Sequence, residues 1–184
     1  MIILLSVTVS IMFGVLLGIS YGWYAYKNAQ SNISGSTIQE APSIVFSQTE
    51  YIKSTQNMPI YDEDRYRYAN KNSFTITIGD NLKNYETGIE IILNNINIEE
   101  ELKIENYKYE LLENKKIISS GNFINLDESN SIKLLPMTIM TPPNYPHTYA
   151  YELYIWLSED ETDQNYLMNK KFGAKIDINS AIKK

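Results

Sequence analysis

The chain has no cysteine among its 184 residues. That removes thiol catalysis, disulfides and any cysteine-based zinc centre, and it fixes no compartment, since a domain of this size can fold without disulfides. Histidine is nearly absent as well: His147, in the proline-rich stretch TPPNYPHT, is the only one. A Ser-His-Asp triad would have to use it, yet no Gly-x-Ser-x-Gly elbow accompanies it, so His147 reads as a loop residue. HExxH and the glycine motifs of nucleotide-binding loops are missing. Basic charge is in the minority, with 16 Lys and Arg against 22 Asp and Glu and a net charge of −6. No basic stripe exists for a nucleic acid to follow. The expectation is therefore no enzyme, no catalytic residues, no cofactor, no metal and no nucleic acid. Beyond Tyr26 a helical period is lacking too. Only Tyr166-Leu167-Met168 suggests a short turn.

What is present divides in three. Met1–Tyr26 carries no charged side chain; the first is Lys27. As a helix at ~1.5 Å per residue it would extend about 39 Å, more than the ~30 Å hydrocarbon core of a bilayer. A cleaved signal peptide fits poorly, because a basic n-region is missing and small-x-small sites are poor around Trp23, Ala25, Lys27 and Ala29. A buried core helix would be shorter and less apolar. The reading is a single transmembrane helix or uncleaved signal anchor. Tyr21, Trp23, Tyr24 and Tyr26 mark its membrane interface, where amphipathic rings settle. Lys27 alone votes for a cytoplasmic C-terminal side. The lack of any earlier Lys or Arg leaves room for residues upstream of Met1. Ser6, Ser10, Gly14, Gly18 and Gly22 recur at a spacing of four and form one stripe of small side chains. Such a stripe lets two helix backbones approach closely in lipid. The expected partners are thus the bilayer and a second helix, from another copy of this chain or from a different protein.

Residues 27–42 are small and polar, and they read as a flexible linker. Its Asn32-Ile33-Ser34 sequon is most simply a chance match in an Asn-rich chain. From Ser43 the pattern has period two. Ile44/Phe46, Phe74/Ile76/Ile78, Ile89/Ile91/Leu93 with Ile96/Ile98, Tyr107/Tyr109/Leu111, Ile118/Ser120, Ile132/Leu134, Tyr149 to Leu157 and Phe172 to Ile178 each alternate with polar residues. That is the pattern of half-buried antiparallel strands, repeated about eight times. Residues 43–184 are expected to form an all-β, antiparallel two-sheet sandwich. Glu113-Asn114-Lys115 should be a hairpin connection, and Pro136 places its strand at an edge or a bulge. Tyr154 and Trp156 occupy the second face of the 147–157 strand, which is then either covered on both sides or part of a binding surface. Burial is the simpler reading.

Two acidic clusters stand out. Asp62, Glu63 and Asp64 have Arg65 and Arg67 as neutralising neighbours, and Glu159, Asp160, Glu161 and Asp163 follow the aromatic strand. The second cluster lacks the glycine and spacing of an EF-hand, so it reads as a solvated loop, with calcium the alternative.

Ile89–Phe123 and His147–Ile178 resemble segments of uncharacterised Firmicutes membrane-anchored proteins. The second contains Tyr151-x-Leu153-x-Ile155-Trp156-Leu157 and Lys170-x-Phe172-x-Ala174-Lys175-Ile176. The layout is similar to the TasA and camelysin-like surface proteins, and Gly18–Tyr26 to the end of their export signal. The resemblance implies a jelly-roll-like sandwich behind the hydrophobic segment, and a domain outside the cell, against the vote of Lys27. It also implies a structural, adhesive or fibre-forming role such as a biofilm-matrix subunit. The chain departs from that family at the cleavage region, and no zinc motif supports a camelysin-type protease. The alternative function is an accessory subunit that joins a membrane complex through its helix and binds a ligand with its β-domain.

Overall fold

Strands dominate because apolar side chains recur at every second position, so each strand has one face to bury. The computed structural model describes residues 43–48, 51–126 and 128–184. Ten strands run through them in chain order: β1 (Ile44–Gln48), β2 (Ile52–Ser54), β3 (Pro59–Ile60), β4 (Asn70–Ile78), β5 (Glu86–Ile98), β6 (Tyr107–Glu113), β7 (Lys116–Asn122), β8 (Ile132–Met140), β9 (His147–Ser158) and β10 (Phe172–Lys183). They form two sheets, mostly antiparallel. Sheet A has the order β1-β4-β9-β6-β7, with β3 pairing parallel to the end of β9, and sheet B has the order β2-β10-β5-β8. The architecture is all-β and sandwich-like. Among the described residues helix is confined to short turns and α1 (Arg65–Tyr68).

The inner faces of the two sheets share one core. Phe74, Ile76, Tyr107, Leu111, Tyr151 and Leu153 come from sheet A, and Ile89, Ile91, Leu93, Phe172 and Ile176 from sheet B. Rings cross between the sheets: Phe172 lies 5.6 Å from Tyr107 and 5.1 Å from Phe123, centroid to centroid.

The apolar series Ile89/Ile91/Leu93 and Ile96/Ile98 change parity yet belong to one strand. β5 carries an extra residue opposite Ala174, with Asn95 in the left-handed region at φ 51°. The bulge returns Ile96 to the core, 4 % exposed, and its N–H donates to the Asn130 carbonyl at 2.9 Å. Asn114 and Lys115, at φ 48° and 68°, make the tight turn between β6 and β7, a geometry that suits the right-handed twist of the flanking strands. Pro136 sits in β8, at the edge of sheet B, where register shifts interrupt the pairing with β5. The short turn expected at 166–168 is a single 3-10 turn at Asn165–Leu167.

Among the described residues no helix is long and apolar enough to cross a membrane. The expected membrane helix over Met1–Tyr26, its stripe of Ser6, Ser10, Gly14, Gly18 and Gly22, its interface residues Tyr21, Trp23, Tyr24 and Tyr26, and the linker 27–42 all lie outside the described residues.

Candidate functional site

The outer faces of the two sheets differ. That of sheet B carries internally paired polar groups beside the exposed Met137 and Ile139 of β8. Glu90 meets Lys133 at 2.9 Å and Asn179 at 2.8 Å, and Asp177 meets Lys175 at 2.7 Å and Asn94 at 2.8 Å. The outer face of sheet A carries Tyr154 and Trp156 from β9 and Leu112 from β6, all buried. What covers them is the segment from β3 through α1, a strap across the sheet.

The strap begins at Pro59. Ile60 continues the place of β4 beside β9, and its carbonyl accepts from the Glu159 N–H at 2.9 Å. An acidic 3-10 turn at Asp62–Asp64 leads into α1, which carries Arg65 and Arg67, so acidic residues precede basic ones along the continuous turn. That order complements the helix dipole. Ala69 then turns extended and starts β4.

Asp62 fastens the strap. Its carboxylate accepts from Lys108 Nζ at 2.8 Å, Trp156 Nε1 at 2.9 Å and Ser158 Oγ at 2.8 Å. Partial burial opposes its charge, but these three donors and the Lys108 ammonium outweigh it and bring its pKa down to about 2. Lys108 also donates to Ser158 Oγ at 3.1 Å. This resembles a Ser-Lys dyad only superficially: an ammonium paired with a carboxylate offers no base, Ser158 donates to Asp62, and Ser158 is 5 % exposed.

A second fastening lies beside the first. Arg65 Nε donates to Glu110 Oε2 at 2.9 Å, and the Tyr66 hydroxyl donates to the same oxygen at 2.9 Å. The bond to Glu110 holds the Arg65 guanidinium above its ordinary pKa despite burial. The Tyr66 ring meets Tyr154 edge-on at 5.1 Å. On the far side Lys71 pairs with Glu152 and lies 5.5 Å from the Tyr154 ring centre. That pairing depresses the Glu152 pKa. The expected neutralisation of the Asp62, Glu63 and Asp64 cluster by Arg65 and Arg67 is therefore corrected for Asp62. Lys108, distant in sequence, neutralises Asp62, while Arg65 turns to Glu110 because the pleat of β6 presents Lys108 and Glu110 on the same outer face. Arg67 lies over the Tyr68 ring at 5.0 Å.

Beside the strap lies a cavity of about 450 Å³, lined by Met58, Ile60, Tyr61, Asp64, Tyr68 and Trp156 among others. Met58, Tyr61 and Tyr68 are exposed at 66, 58 and 58 %, so apolar and aromatic side chains face solvent beside the part of sheet A that the strap covers. The floor is held by Asn57. Its Oδ1 accepts from Ser54 Oγ at 2.6 Å and Tyr107 Oη at 3.2 Å, and its Nδ2 donates to the Lys170 carbonyl at 2.7 Å. Burial pushes the Tyr107 phenol well above its usual pKa, so it stays a neutral donor.

The other sequence candidates lie elsewhere. His147 starts β9 rather than sitting in a loop; its Nδ1 is 3.0 Å from Asn144 Oδ1 and its ring stands edge-on to Tyr149. In the second acidic cluster Glu159 and Asp163 turn to their own loop, while Asp160 bonds both to its loop and to Asn106 Nδ2 at 2.6 Å. Glu159 accepts from the N–H groups of Asp160 and Glu161, and Asp163 from that of Asn165. Asp160 accepts from Thr162, whose hydroxyl and N–H lower its pKa. Among the described residues no group of acidic or histidine side chains is arranged to hold a metal ion. The cavity residues Met58, Ile60, Tyr61 and Tyr68 were not singled out by the sequence. The only signal was the density of tyrosine in YDEDRYRY, without a strand or helix period.

Comparison with protein-family models, with curated proteins and with solved structures gives no match.

Proposed function

We propose that this chain is a non-enzymatic, membrane-anchored surface protein whose β-domain makes adhesive or structural contacts outside the cell. Met1–Tyr26 is its single transmembrane helix, residues 27–42 its tether, and 43–184 its jelly-roll-like domain. The charge-free run of Met1–Tyr26 supports the anchor. The resemblance of Ile89–Phe123 and His147–Ile178 to exported surface proteins supports the placement. The single observation that carries the contact reading is the strap: it leaves Met58, Tyr61 and Tyr68 exposed around a cavity on the outer face of sheet A. Exposed aromatic groups of this kind mark interaction surfaces. The test compares cells displaying the wild-type chain with cells displaying a Tyr61→Ala/Tyr68→Ala double variant at equal surface density. Loss of cell–cell or cell–matrix adhesion in the variant is expected, and equal adhesion contradicts the strap as the contact surface.

The stripe Ser6, Ser10, Gly14, Gly18, Gly22 favours a second reading, an accessory subunit recruited through its helix with the β-domain as ligand-binding module. A single co-purifying membrane protein would select it; polymers seen by electron microscopy would select the structural role.

A further inference from the structure

We infer that the cavity beside the strap is a binding site for a small organic cation of the alkylammonium class. This rests on the contact-surface reading above and specifies what the surface takes.

The volume of about 450 Å³ suits a small molecule. The walls contributed by Tyr61, Tyr68 and Trp156 are aromatic, and the negative faces of such rings attract cations. Arg67 already lies over Tyr68 at 5.0 Å and Arg65 over Trp156 at 5.8 Å, so the attraction for a further cation comes from the remaining ring faces together with Asp64. Asp64 adds a full negative charge to the lining. Unlike Asp62, whose carboxylate holds three donors, the Asp64 carboxylate has no hydrogen bond or ion pair to any described residue.

The remaining polar lining decides between a cation and a polyol. Ser54 Oγ is committed to Asn57, Asn57 to Ser54, Tyr107 and Lys170, and Asn70 Nδ2 to the Lys53 carbonyl at 2.8 Å. The uncommitted polar groups of the wall are one carboxylate, the Gln56 amide, Asn70 Oδ1 and two phenols on a largely apolar surface, and Asp64 is the one charged group among them, which a neutral sugar would leave unpaired. A single positive charge on an apolar body matches that inventory. An anion is disfavoured by Asp64 and by the ring faces alike. The neighbouring polar cavity of about 330 Å³ presents Lys108 and Arg65, each already paired with a carboxylate. The chain's net charge of −6 favours approach of a cation from a distance.

The test uses the full chain in maltoside micelles, with choline as the probe and its uncharged isostere 3,3-dimethylbutan-1-ol as the control, read by calorimetry and by Trp156 fluorescence in a Trp23→Phe background. Saturable choline binding is expected, with no binding of the isostere, and a loss of affinity of about tenfold or more in Asp64→Asn and in Tyr68→Ala. Both side chains are exposed, and unchanged circular dichroism confirms that the variants fold. Equal binding of the isostere overturns the cation inference and leaves the contact surface standing. Choline binding that survives both substitutions places the ligand elsewhere and overturns the inference. No binding of either probe also overturns it, while the adhesion of the Tyr61/Tyr68 variant judges the contact reading separately.

Discussion

Replacing Asp62 by alanine should loosen the strap from sheet A. The carboxylate is the acceptor for Trp156 Nε1 and Ser158 Oγ, and both residues are 5 % exposed. A buried donor left without a partner costs about 1–3 kcal/mol. Lys108 donates to Ser158 Oγ and cannot accept from it, so the Ser158 hydroxyl, like the Trp156 N–H, is left without its acceptor. The Lys108 side chain is 32 % exposed and that of Asp62 46 %, so water screens the ion pair, which contributes about 1 kcal/mol. The sum for Asp62→Ala is about 3 kcal/mol or more, two orphaned donors and the ion pair together. With a urea slope of about 2 kcal/mol per molar, the unfolding midpoint should fall by about 1.5 M, followed by far-ultraviolet circular dichroism. Asp62→Asn keeps an oxygen for Trp156 and should lose only about 1 kcal/mol, the ionic part. That part carries a pH signature. The folded pKa of about 2 lies below the ordinary 3.8, so the stabilisation is fully present above pH 3.8 and is lost as the pH falls through about 2. The gap between wild type and Asp62→Asn should therefore be constant down to about pH 4 and close by about pH 2. An unchanged midpoint at pH 7, or a gap indifferent to pH, would refute the strap anchor.

Other perturbations separate core from loop. Ile155→Ala, at 2 % exposure, should cost about 2–5 kcal/mol, while Glu159→Ala on the acidic loop should stay within about 0.5 kcal/mol; similar urea midpoints for the two would contradict the placement of β9. Lys115→Gly relieves a left-handed residue and should raise stability by about 0.5 kcal/mol, whereas Asn114→Val should lower it by about 1–2 kcal/mol, both checked by thermal unfolding. Residues 1–30 should self-associate in a two-helix membrane reporter, weakened by Gly18→Ile but not by Val15→Ile. A wild-type signal at the monomer baseline would exclude homodimerisation.

The two-sheet architecture was legible because burial on one face imposes period two, and each strand carries it locally. The β6–β7 turn at Asn114 and the edge position of Pro136 follow from backbone chemistry that a single residue announces. Even the bulge at Asn95 was written as a change of parity between Leu93 and Ile96, although only the pairing with β10 shows that one strand spans it. The strap was not legible. YDEDRYRY has no period, and its stability comes from partners distant in sequence: Lys108, Glu110, Trp156 and Ser158. Nearby arginines looked like the partners of Asp62 because sequence proximity is the only proximity a sequence displays. The cavity was hidden for the same reason. Met58, Tyr61 and Tyr68 are ordinary residues until the fold sets them beside Trp156.

Protease treatment of intact cells tests the surface-protein account most directly. A domain tethered outside the membrane should be degraded or released while the cells remain sealed, with Met1–Tyr26 retained in the membrane fraction. Full protection of residues 43–184 until the cells are broken would contradict the account.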